Sequence, residues 1–454
     1  MKEFLTGWGR TAPTPADVVR PTSASELPEA AAAFGERGLV ARGLGRSYGD
    51  AAQNAGGLVV QTTAMDRCQW IDPVQGVARL DAGLSLDALL RWGVPQGWFS
   101  PVSPGTRLVT IGGAIAADVH GKNHHSAGSF GNHVRSIDLL HPAKGEVVTL
   151  NREDDAELFW ATVGGMGMTG VIVSADVQLS PIETALVQVD TERCTDLGDV
   201  MARMEARDHE YPYSVAWLDL LATGRNLGRS VLTRGSFAPL DRLPARRRHR
   251  ALAFDPVSLG RVPRPIPSGL LNPVTIRSFN EFWYRKAPRI RRGELQSIPK
   301  FWHPLDGVAD WNRLYGTRGL LQWQPYLPFG QEEVLRSIIE TFAGSRYSSF
   351  LTVLKRFGEG NAGHLSFPAA GWTLNVDLAV PAHARELADL LDRLDEQVAE
   401  AGGRIYLAKD SRLRPETFRA MYPRLAEWQE VRDRADPGRT MQSDLSRRLG
   451  LVDT

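Results

Sequence analysis

Cysteine, net charge and long apolar runs are all scarce in this chain. Two of the 454 residues are cysteine, and Cys68 and Cys194 form no CxxC or metal-ligand spacing, which excludes a disulfide framework and a cysteine-based zinc site. The 53 basic and 52 acidic side chains leave a net charge of +1 at pH 7, so no overall field attracts nucleic acid. The N-terminus lacks the apolar core of a signal peptide, and no run of about 18 apolar residues could span a membrane. We expect a protein that has no nucleic-acid partner and is cytoplasmic or peripheral to the cell membrane.

A glycine-rich loop, ARGLGRSYGDA at 41–51, lies between two apolar runs. Its glycines, Gly43, Gly45 and Gly49, follow the spacing Gly-x-Gly-x-x-x-Gly, and the next residues are AQNAGG, which do not form a helix. A Rossmann dinucleotide site needs a helix directly after its glycine loop. The loop therefore binds some other ligand, or none.

The pattern of apolar and polar residues changes after Pro181. Residues 1–183 carry many short apolar strands separated by glycine clusters, whereas 184–400 carry longer alternating strands and two amphipathic helices. This second pattern is typical of an antiparallel sheet with helices on one face. Within it, 242–292 hold 13 basic residues, two acidic residues and seven prolines, which predicts an irregular insertion. The remaining residues, 401–454, are polar and helical.

The densest candidate site is PVSPGTRLVTIGGAIAADVHGKNHHSAGSFGNHV, at 101–134. Small residues leave backbone N–H groups open to a ligand, and successive N–H groups can form a nest for phosphate. Four histidines in this stretch raise the alternative of a metal site. The absence of cysteine and the single acidic residue, Asp118, argue against it, so no metal is predicted. A glycine-rich surface loop with solvated histidines is the other alternative.

Four segments together resemble a known family: ARGLGRSYGDA, SPGT…TIGGAIAADVHGKNHH, GGMGMTGVIVSADVQLSP and GGRIYLAKDS. They are similar to FAD-linked oxidases of the vanillyl-alcohol-oxidase type, and more closely to the decaprenylphosphoryl-β-D-ribose 2-oxidase branch, which serves bacterial arabinan and cell-wall synthesis. The resemblance spans nearly the whole chain and is weak at 242–292. It implies an α+β fold, with a two-part FAD-binding domain of the PCMH type formed by 1–183 and the returning segment 401–454. The region 184–400 would be an α+β substrate domain with an antiparallel sheet.

The resemblance also implies how FAD is bound. The glycine loop would wrap the pyrophosphate with backbone N–H groups. Several relatives attach the flavin covalently through a histidine in this loop, where this chain has Arg46, so we expect non-covalent FAD. For Ile172 and Tyr406, core packing is the alternative role. The implied cofactor-binding residues are Arg42, Gly43, Gly45, Arg46, Ser47, Tyr48, Gly105, Thr110, Gly112, Gly113, Asp118, His120, Ile172 and Tyr406.

Oxidation of an alcohol by a flavin requires a group beside the ring that takes or stabilises the hydroxyl proton. Lys409 is the first catalytic candidate, either as a base with a lowered pKa or as a cation beside the developing alkoxide. Its alternative role is a salt bridge with Asp410 or with another acidic residue at a domain junction. His120 is the second candidate, and Lys122 would anchor an anionic group of the substrate.

Gln322 and Gln324 should share one face of a strand, because side chains alternate every two residues. Two amides on one face suit a polyhydroxylated ring, although solvent-facing glutamines on an edge strand are the alternative. By resemblance the same substrate pocket would include Tyr48, Lys122, Trp217, Trp302, Lys355 and Asn375. The sequence departs from the family where Asn375 replaces a cysteine and Thr373 replaces an asparagine, and both changes alter hydrogen bonding beside the flavin.

The implied reaction is oxidation of the 2-hydroxyl of a polyprenyl-phosphoryl ribose to the keto sugar. A separate short-chain NAD(P)H-dependent keto-reductase would complete the epimerisation toward the arabinose donor. Alternatives are an oxidase of a free polyol, a sugar lactone or a natural-product sugar, and a flavin-binding protein without turnover. The basic segment 242–292 suggests peripheral membrane contact, because each basic residue near an anionic leaflet contributes about 1 kcal/mol. A solvated linker is the alternative.

Overall fold

The computed structural model describes residues 2–263, 266 and 269–452. The strands are β1 (Lys2–Leu5), β2 (Thr14–Val19), β3 (Leu39–Arg42), β4 (Leu58–Gln61), β5 (Cys68–Asp72), β6 (Val77–Asp81), β7 (Trp98–Phe99), β8 (Val134–His141), β9 (Glu146–Asn151), β10 (Val171–Gln178), β11 (Ser180–Pro181), β12 (Leu186–Cys194), β13 (Tyr213–Leu218), β14 (Ser230–Phe237), β15 (Gly260–Arg261), β16 (Ile290–Ser297), β17 (Val308–Ala309), β18 (Leu320–Trp323), β19 (Pro325–Pro328), β20 (Thr352–Phe357), β21 (Gly371–Ala379) and β22 (Arg404–Ile405). The helices are α1 (Leu27–Ala32), α2 (Leu86–Gly93), α3 (Ile111–Ala116), α4 (His124–Ala127), α5 (Ala156–Thr162), α6 (Leu197–Arg207), α7 (Ala245–Arg248), α8 (Pro273–Lys286), α9 (Ile298–Trp302), α10 (Glu332–Ala343), α11 (Arg385–Glu400), α12 (Pro415–Met421), α13 (Leu425–Ala435) and α14 (Asp444–Leu449).

The first part of the chain builds two sheets. One has four strands in the order β1-β2-β4-β3, with β4 parallel to both β2 and β3, and the other has five antiparallel strands in the order β5-β6-β10-β8-β9. The buried valines of β4 and β10 explain why these short apolar runs form inner strands. Ser85 caps α2 by accepting the N–H of Ala88 at 3.1 Å.

The second part builds eight strands of a nine-stranded sheet, and the C-terminal segment adds β22. Its order is β16-β12-β14-β13-β20-β21-β19-β22, with β18 paired to β21. The alternate residues Leu374, Val376 and Leu378 of β21 are buried in one cluster with apolar residues of α10 and α11. The helices therefore cover one face, as the alternating pattern predicts, and the α+β prediction is confirmed. The opposite face carries the polar residues of β21.

The C-terminal segment packs against the first sheets. The N–H of Tyr48 donates to the carbonyl of Ala408 at 2.9 Å, and Arg448 pairs with Asp50 at 2.8 Å. Leu39 forms an isolated bridge with Met441. These contacts hold the segment around Lys409 against the glycine loop. The domain boundaries near 183 and 400 stay predictions.

The interpretation of 242–292 as irregular is wrong for 273–286, which form α8. The side chain of Asn272 accepts the N–H groups of Val274 and Thr275 at 3.0 and 3.1 Å, and a proline is well tolerated in the first turn that follows. Density of proline alone does not prevent a helix when one of the prolines stands at its start. Residues 264, 265, 267 and 268 of this segment lie outside the described residues. In the part of the chain that the structure describes, no helix combines the length and the apolar character needed to cross a bilayer.

Candidate active site

The glycine loop after β3 is enclosed by three other parts of the chain. A Cβ at Gly43 would lie 2.2 Å from Oγ1 of Thr110, and one at Gly49 would lie 1.9 Å from the carbonyl oxygen of Asp410. On its other side, the carbonyl of Ser47 accepts the N–H of Trp8 at 2.7 Å. Gly45 has a φ of +63°, which favours glycine. The loop is therefore fixed between the N-terminal segment, the start of α3 and the segment around Lys409.

The two arginines of this loop have different surroundings. Arg42 donates to the carbonyls of Ala52 and Thr6, each at 2.8 Å, so its guanidinium holds the loop in shape. Arg46 lies over the ring of Trp8, with 3.9 Å between Cζ and the ring centroid. Its buried Nε has no hydrogen-bond partner among the described residues. Arg46 is the loop cation that retains capacity to bind an added anionic group.

The segment that leads into α3 is open to a ligand on one side. A Cβ at Gly105 would meet no described atom within 4 Å, and one at Gly113 would meet only Oγ1 of Thr110, at 3.2 Å. Thr110 caps α3 by accepting the N–H of Gly113 at 3.3 Å. A Cβ at Gly112 would instead lie 3.0 Å from Cβ of Ala82. A ligand could therefore approach the backbone most closely at Gly105 and Gly113.

The carboxylate of Asp118, a predicted cofactor-binding residue, is held by other parts of the protein. This carboxylate is fully buried and accepts hydrogen bonds from the Ser129 hydroxyl at 2.7 Å and from the Gly131 N–H and Asn361 amide at 2.8 Å each. Asn361 belongs to the substrate-domain part of the chain. Asp118 therefore joins the two parts of the chain, and its role in binding FAD stays a prediction.

Ile172 and Tyr406 occupy different environments. Ile172 is 5% exposed within β10 and belongs to the core of the five-stranded sheet, which favours its packing role. Tyr406 donates its hydroxyl to the carbonyl of Ala117 at 2.8 Å and stacks on Phe367 with 4.8 Å between ring centroids. Tyr406 thus links the C-terminal segment to the end of α3.

The four histidines of 120–133 each have a separate protein partner. His124 accepts the N–H of Gly358 at 3.2 Å, His125 contacts the carbonyl of Tyr211 at 2.8 Å, and His133 contacts the carbonyl of Ala127 at 2.8 Å. Over residues 2–263, 266 and 269–452, no three His, Cys, Asp or Glu side chains are grouped to hold a metal ion.

His120 is a buried, neutral imidazole. The Gln324 amide donates to its Nε2 at 2.9 Å, and its Nδ1 has no hydrogen-bond partner in the described chain. Burial and the charges of Lys355, His124 and Lys409 hold the pKa of His120 well below its usual value. A weakly basic imidazole is a poor proton acceptor at neutral pH, so Lys409 is the stronger of the two catalytic candidates.

The polar face of the nine-stranded sheet brings most predicted substrate residues together. Thr373, Asn375 and Asp377 alternate along β21 and therefore share this face. Lys355 of β20 lies opposite Thr373, and Gln322 of β18 lies opposite Asp377. Trp217 and Gln324 complete the set, since Trp217 is paired with Val353, the partner of Asn375, and Gln324 donates to Oγ1 of Thr373 at 3.2 Å.

Lys409 points toward this face from the C-terminal segment. Its Nζ lies 4.2 Å from the centroid of the Tyr48 ring. The alternative salt bridge with Asp410 does not form, because that carboxylate pairs with Arg448 at 2.9 Å and accepts the backbone N–H groups of Arg412 and Leu413. Burial lowers the pKa of Lys409 to about 8, while the nearby carboxylate of Asp377 acts in the opposite direction.

Asp377 is a site residue that the sequence analysis missed. Its carboxylate is fully buried, contacts the Gln322 amide and accepts from the Asn375 amide at 3.2 Å, while Oδ2 has no hydrogen-bond partner among the described residues. Burial raises its pKa to about 6, although Gln322 and Lys409 oppose that shift. The spacing of two residues from Asn375 was the available signal, since it places both side chains on one face.

Two further lysines surround the same space. Lys122 donates to the carbonyl of Phe301 and lies 4.3 Å from the centroid of that ring. Burial lowers the pKa of Lys122 to about 7, and burial together with the charges of Lys409 and Lys122 lowers the pKa of Lys355 to about 7. The charges of Lys409 and Lys122 act on Lys355, so an anionic ligand beside Lys355 would offset this repulsion.

Trp302, a predicted substrate-binding residue, lies in a cluster of aromatic rings, and its contact with the substrate stays a prediction. It is 1% exposed and contacts the rings of Phe99, Tyr213 and Phe237, with centroid separations of 4.9, 4.8 and 5.3 Å. Trp302 also contacts the ring of Phe301, and its buried Nε1 has no hydrogen-bond partner among the described residues. Trp217 instead is partly exposed and donates to the carbonyl of Phe350 at 3.0 Å.

Two protein-family models match the chain. The model of an FAD binding domain matches residues 15–151, which include the glycine loop and α3. The model of D-arabinono-1,4-lactone oxidase matches residues 331–449, which include β20, β21 and Lys409.

Some known proteins match most of this chain, and others match a shorter part of it. The chain is 47% identical over 453 residues to a decaprenylphosphoryl-β-D-ribose oxidase of Mycolicibacterium smegmatis, and that match covers 99% of this chain and 97% of the relative. It is 42% identical over 375 residues to an uncharacterised protein of Streptomyces coelicolor, which covers 81% of this chain and 100% of that protein. A shorter match, 31% identical over 153 residues, links 31% of this chain with 28% of cytokinin dehydrogenase 5 of Oryza sativa subsp. japonica.

Proposed function

Because the chain belongs to the decaprenylphosphoryl-β-D-ribose oxidase family of FAD-dependent oxidoreductases, we propose that it oxidises the 2-hydroxyl of a polyprenyl-phosphoryl ribose to the keto sugar. The observation that carries this proposal is the meeting of Lys409, Gln322 and Asn375 at one polar sheet face beside the glycine loop. A pentose offers several hydroxyls to amides, and its phosphodiester offers an anion to lysines.

The residues present fit FAD. Open backbone at Gly105 and Gly113 leaves room for a flat ligand, and the buried Nε of Arg46 and Nδ1 of His120 lack partners among the described residues. Arg46 suits a cofactor phosphate, since a guanidinium binds phosphate oxygens in pairs. When bound, FAD supplies the acceptor for the hydride that leaves the carbinol carbon.

The side chains would divide the remaining work of the oxidation. The neutral amine of Lys409 takes the hydroxyl proton while the C–H bond at C2 breaks, so that the C–O bond becomes a ketone. Gln322 and Asn375 orient the sugar hydroxyls. Asp377 holds both amides in place and biases the charge of Lys409.

The substrate phosphate is assigned to Lys122 and Lys355. Both amines have pKa values lowered to about 7, and a phosphodiester between them would raise those values again and keep both lysines charged. Binding of the phosphate therefore strengthens as the lysines protonate around it.

The keto sugar needs a second enzyme if an arabinose donor is to form. A short-chain NAD(P)H-dependent keto-reductase would return a hydride to C2 from the opposite face.

The basic residues of 242–292 would also keep the protein at an anionic membrane, where a polyprenyl-linked substrate resides.

A sugar lactone is the second candidate substrate. The match of residues 331–449 to the D-arabinono-1,4-lactone oxidase model favours it, because those residues include most of the polar sheet face. A free lactone has no phosphate, so it would leave Lys122 and Lys355 without their proposed ligand.

Anaerobic spectroscopy tests the proposed reaction. Mixing the flavin-loaded protein with a short-chain prenyl-phosphoryl ribose should bleach the flavin absorbance, whereas a free pentitol or D-arabinono-1,4-lactone at the same concentration should not. Bleaching by the lactone alone would replace the proposed substrate with the second candidate. A flavin that no sugar bleaches would favour a binding protein without turnover.

We also expect the flavin to be released by acid. Arg46 stands where several relatives have the attaching histidine, and its guanidinium cannot form that bond. Precipitation with trichloroacetic acid should therefore leave a yellow supernatant and a colourless pellet, as read by absorbance of both fractions. A yellow pellet would show a covalent bond and would require another attachment residue.

A further inference from the structure

Exposed apolar side chains are concentrated in one short stretch of the sequence. Of the sixteen large apolar side chains that are exposed in the described chain, eight lie between 257 and 290. This clustering is unusual for a soluble surface, where such residues are normally scattered singly.

Four of these eight side chains lie on α8. We define the outer face of α8 as Val274, Phe279, Phe282, Trp283 and Lys286. The four apolar members are 75, 41, 60 and 42% exposed in that order. Phe279 stacks on Trp283 at 5.9 Å, and Nζ of Lys286 lies 5.6 Å from the ring of Phe282 and 6.0 Å from that of Trp283.

The opposite side of α8 is firmly held by the protein. The Asn280 amide donates to Oδ1 of Asp219 at 2.7 Å, the Tyr284 hydroxyl donates to the carbonyl of Cys194 at 3.2 Å, and Ile276 is buried. The helix cannot turn its aromatic residues inward without breaking these contacts. The outer face is therefore a fixed apolar surface.

The charge around this face has one sign. Arg285 and Lys286 lie in the last turn of α8 and Arg289 follows it, and the one acidic residue of the helix, Glu281, already pairs with Arg229 and Arg285. Apolar rings bordered by basic side chains suit the interface of an anionic bilayer, where rings enter the acyl region and cations meet the phosphates.

Aromatic contacts connect this face to the candidate site. Phe279 contacts Phe350 at 5.7 Å, and Phe350 stacks on Tyr315 at 5.8 Å. Tyr315 belongs to the same cluster as Tyr48, whose ring lies 4.2 Å from Nζ of Lys409. The outer face is thus separated from the site by a short wall of aromatic rings.

We propose that the outer face of α8 docks this protein on an anionic lipid bilayer beside the entrance of the active site. The rings enter the membrane, and the basic residues beside them bind the headgroups. A lipid-linked substrate then reaches the sheet face without its hydrocarbon chain crossing water. This last step rests on the proposed function, whereas the docking rests on the surface alone.

Vesicle sedimentation of the flavin-loaded protein tests the docking without any substrate. Vesicles of phosphatidylcholine with 30% phosphatidylglycerol should bind the protein, and pure phosphatidylcholine or 0.5 M NaCl should weaken binding. Phe282→Ser with Trp283→Ser should lower the partition coefficient by about tenfold or more, since each ring buries apolar area in the bilayer. The matched control, Phe4→Ser with Trp70→Ser, removes two aromatic residues that are 78 and 47% exposed elsewhere, and it should bind as the parent does.

Three results would overturn the docking proposal. These are equal binding by both double variants, equal binding to neutral and anionic vesicles, or a dimer in solution that only Phe282→Ser with Trp283→Ser dissociates. The last result would assign the face to a second copy of the chain. Melting temperature and flavin content verify that the variants fold.

Failure of the proposed function is read separately. Both double variants should bleach with a short-chain prenyl-phosphoryl ribose in solution as fast as the parent does. If neither the parent nor the variants bleach, the substrate assignment fails while the vesicle result still stands.

Discussion

Lys409→Met should lower the rate of anaerobic flavin bleaching by a prenyl-phosphoryl ribose about 1,000-fold. The amine lies beside Tyr48 at the polar sheet face, and its pKa is lowered to about 8, so much of it is neutral near pH 8 and able to take a proton. General base catalysis typically contributes about 10²- to 10⁴-fold, and methionine keeps the length of the side chain without that capacity. Stopped-flow absorbance at flavin wavelengths measures the rate.

Two companion variants separate the roles of charge and basicity. Lys409→Arg keeps a cation that cannot deprotonate, so it should remain as slow as Lys409→Met. If arginine restored most of the rate, the residue would act as a cation beside the alkoxide. Lys144→Met removes an exposed lysine and should leave the rate unchanged. Flavin content of each variant, read from its absorbance, shows that cofactor binding persists.

The bleaching rate should rise with pH through a midpoint near 8. Only the neutral amine accepts the proton, so the rate should fall about tenfold for each pH unit below the midpoint. Asp377→Asn removes the carboxylate that raises the pKa of Lys409, and the midpoint should therefore move to lower pH. The maximal rate should also fall, because the weaker base accepts a proton less readily and the amides of Gln322 and Asn375 lose their charged acceptor.

The matched control for this pH profile is Asp389→Asn. Asp389 is exposed on α11, which covers the opposite face of the sheet. The pH midpoint of the Asp389→Asn variant should therefore equal that of the parent. A rate that declines above pH 8 would contradict the role of Lys409 as a base. An unchanged midpoint in Asp377→Asn would remove Asp377 from the site's electrostatics.

Alternation along strands made much of the site predictable from sequence. Gln322 and Gln324 were assigned to one face from their spacing alone, and both side chains reach the buried polar cluster. The same rule applied to Asn375 would have found Asp377. A single acidic residue in an apolar strand otherwise carries no sign of its burial or of its proximity to Lys409.

Other features depend on contacts between distant segments. The aromatic rings around Trp302 come from β7, β13 and β14, and the order of the sequence does not show that these strands meet there. The carboxylate of Asp410 forms no salt bridge with Lys409 because it pairs with Arg448, which lies in the last helix. The helix at 273–286 was hidden by the prolines around it, although Asn272 and Pro273 form a favourable helix start.

Isotopic labelling at C2 of the sugar is the most direct test of whether this protein oxidises that carbon. The flavin-loaded protein is mixed anaerobically with a short-chain prenyl-phosphoryl ribose that carries deuterium at C2, and separately with one that carries it at C3. If the hydride leaves from C2, bleaching should be slower with deuterium at C2 only, and the product should be a 2-keto sugar that lacks this deuterium. Slowing by deuterium at C3, or a product that keeps its C2 label, would contradict the oxidation proposed for this site.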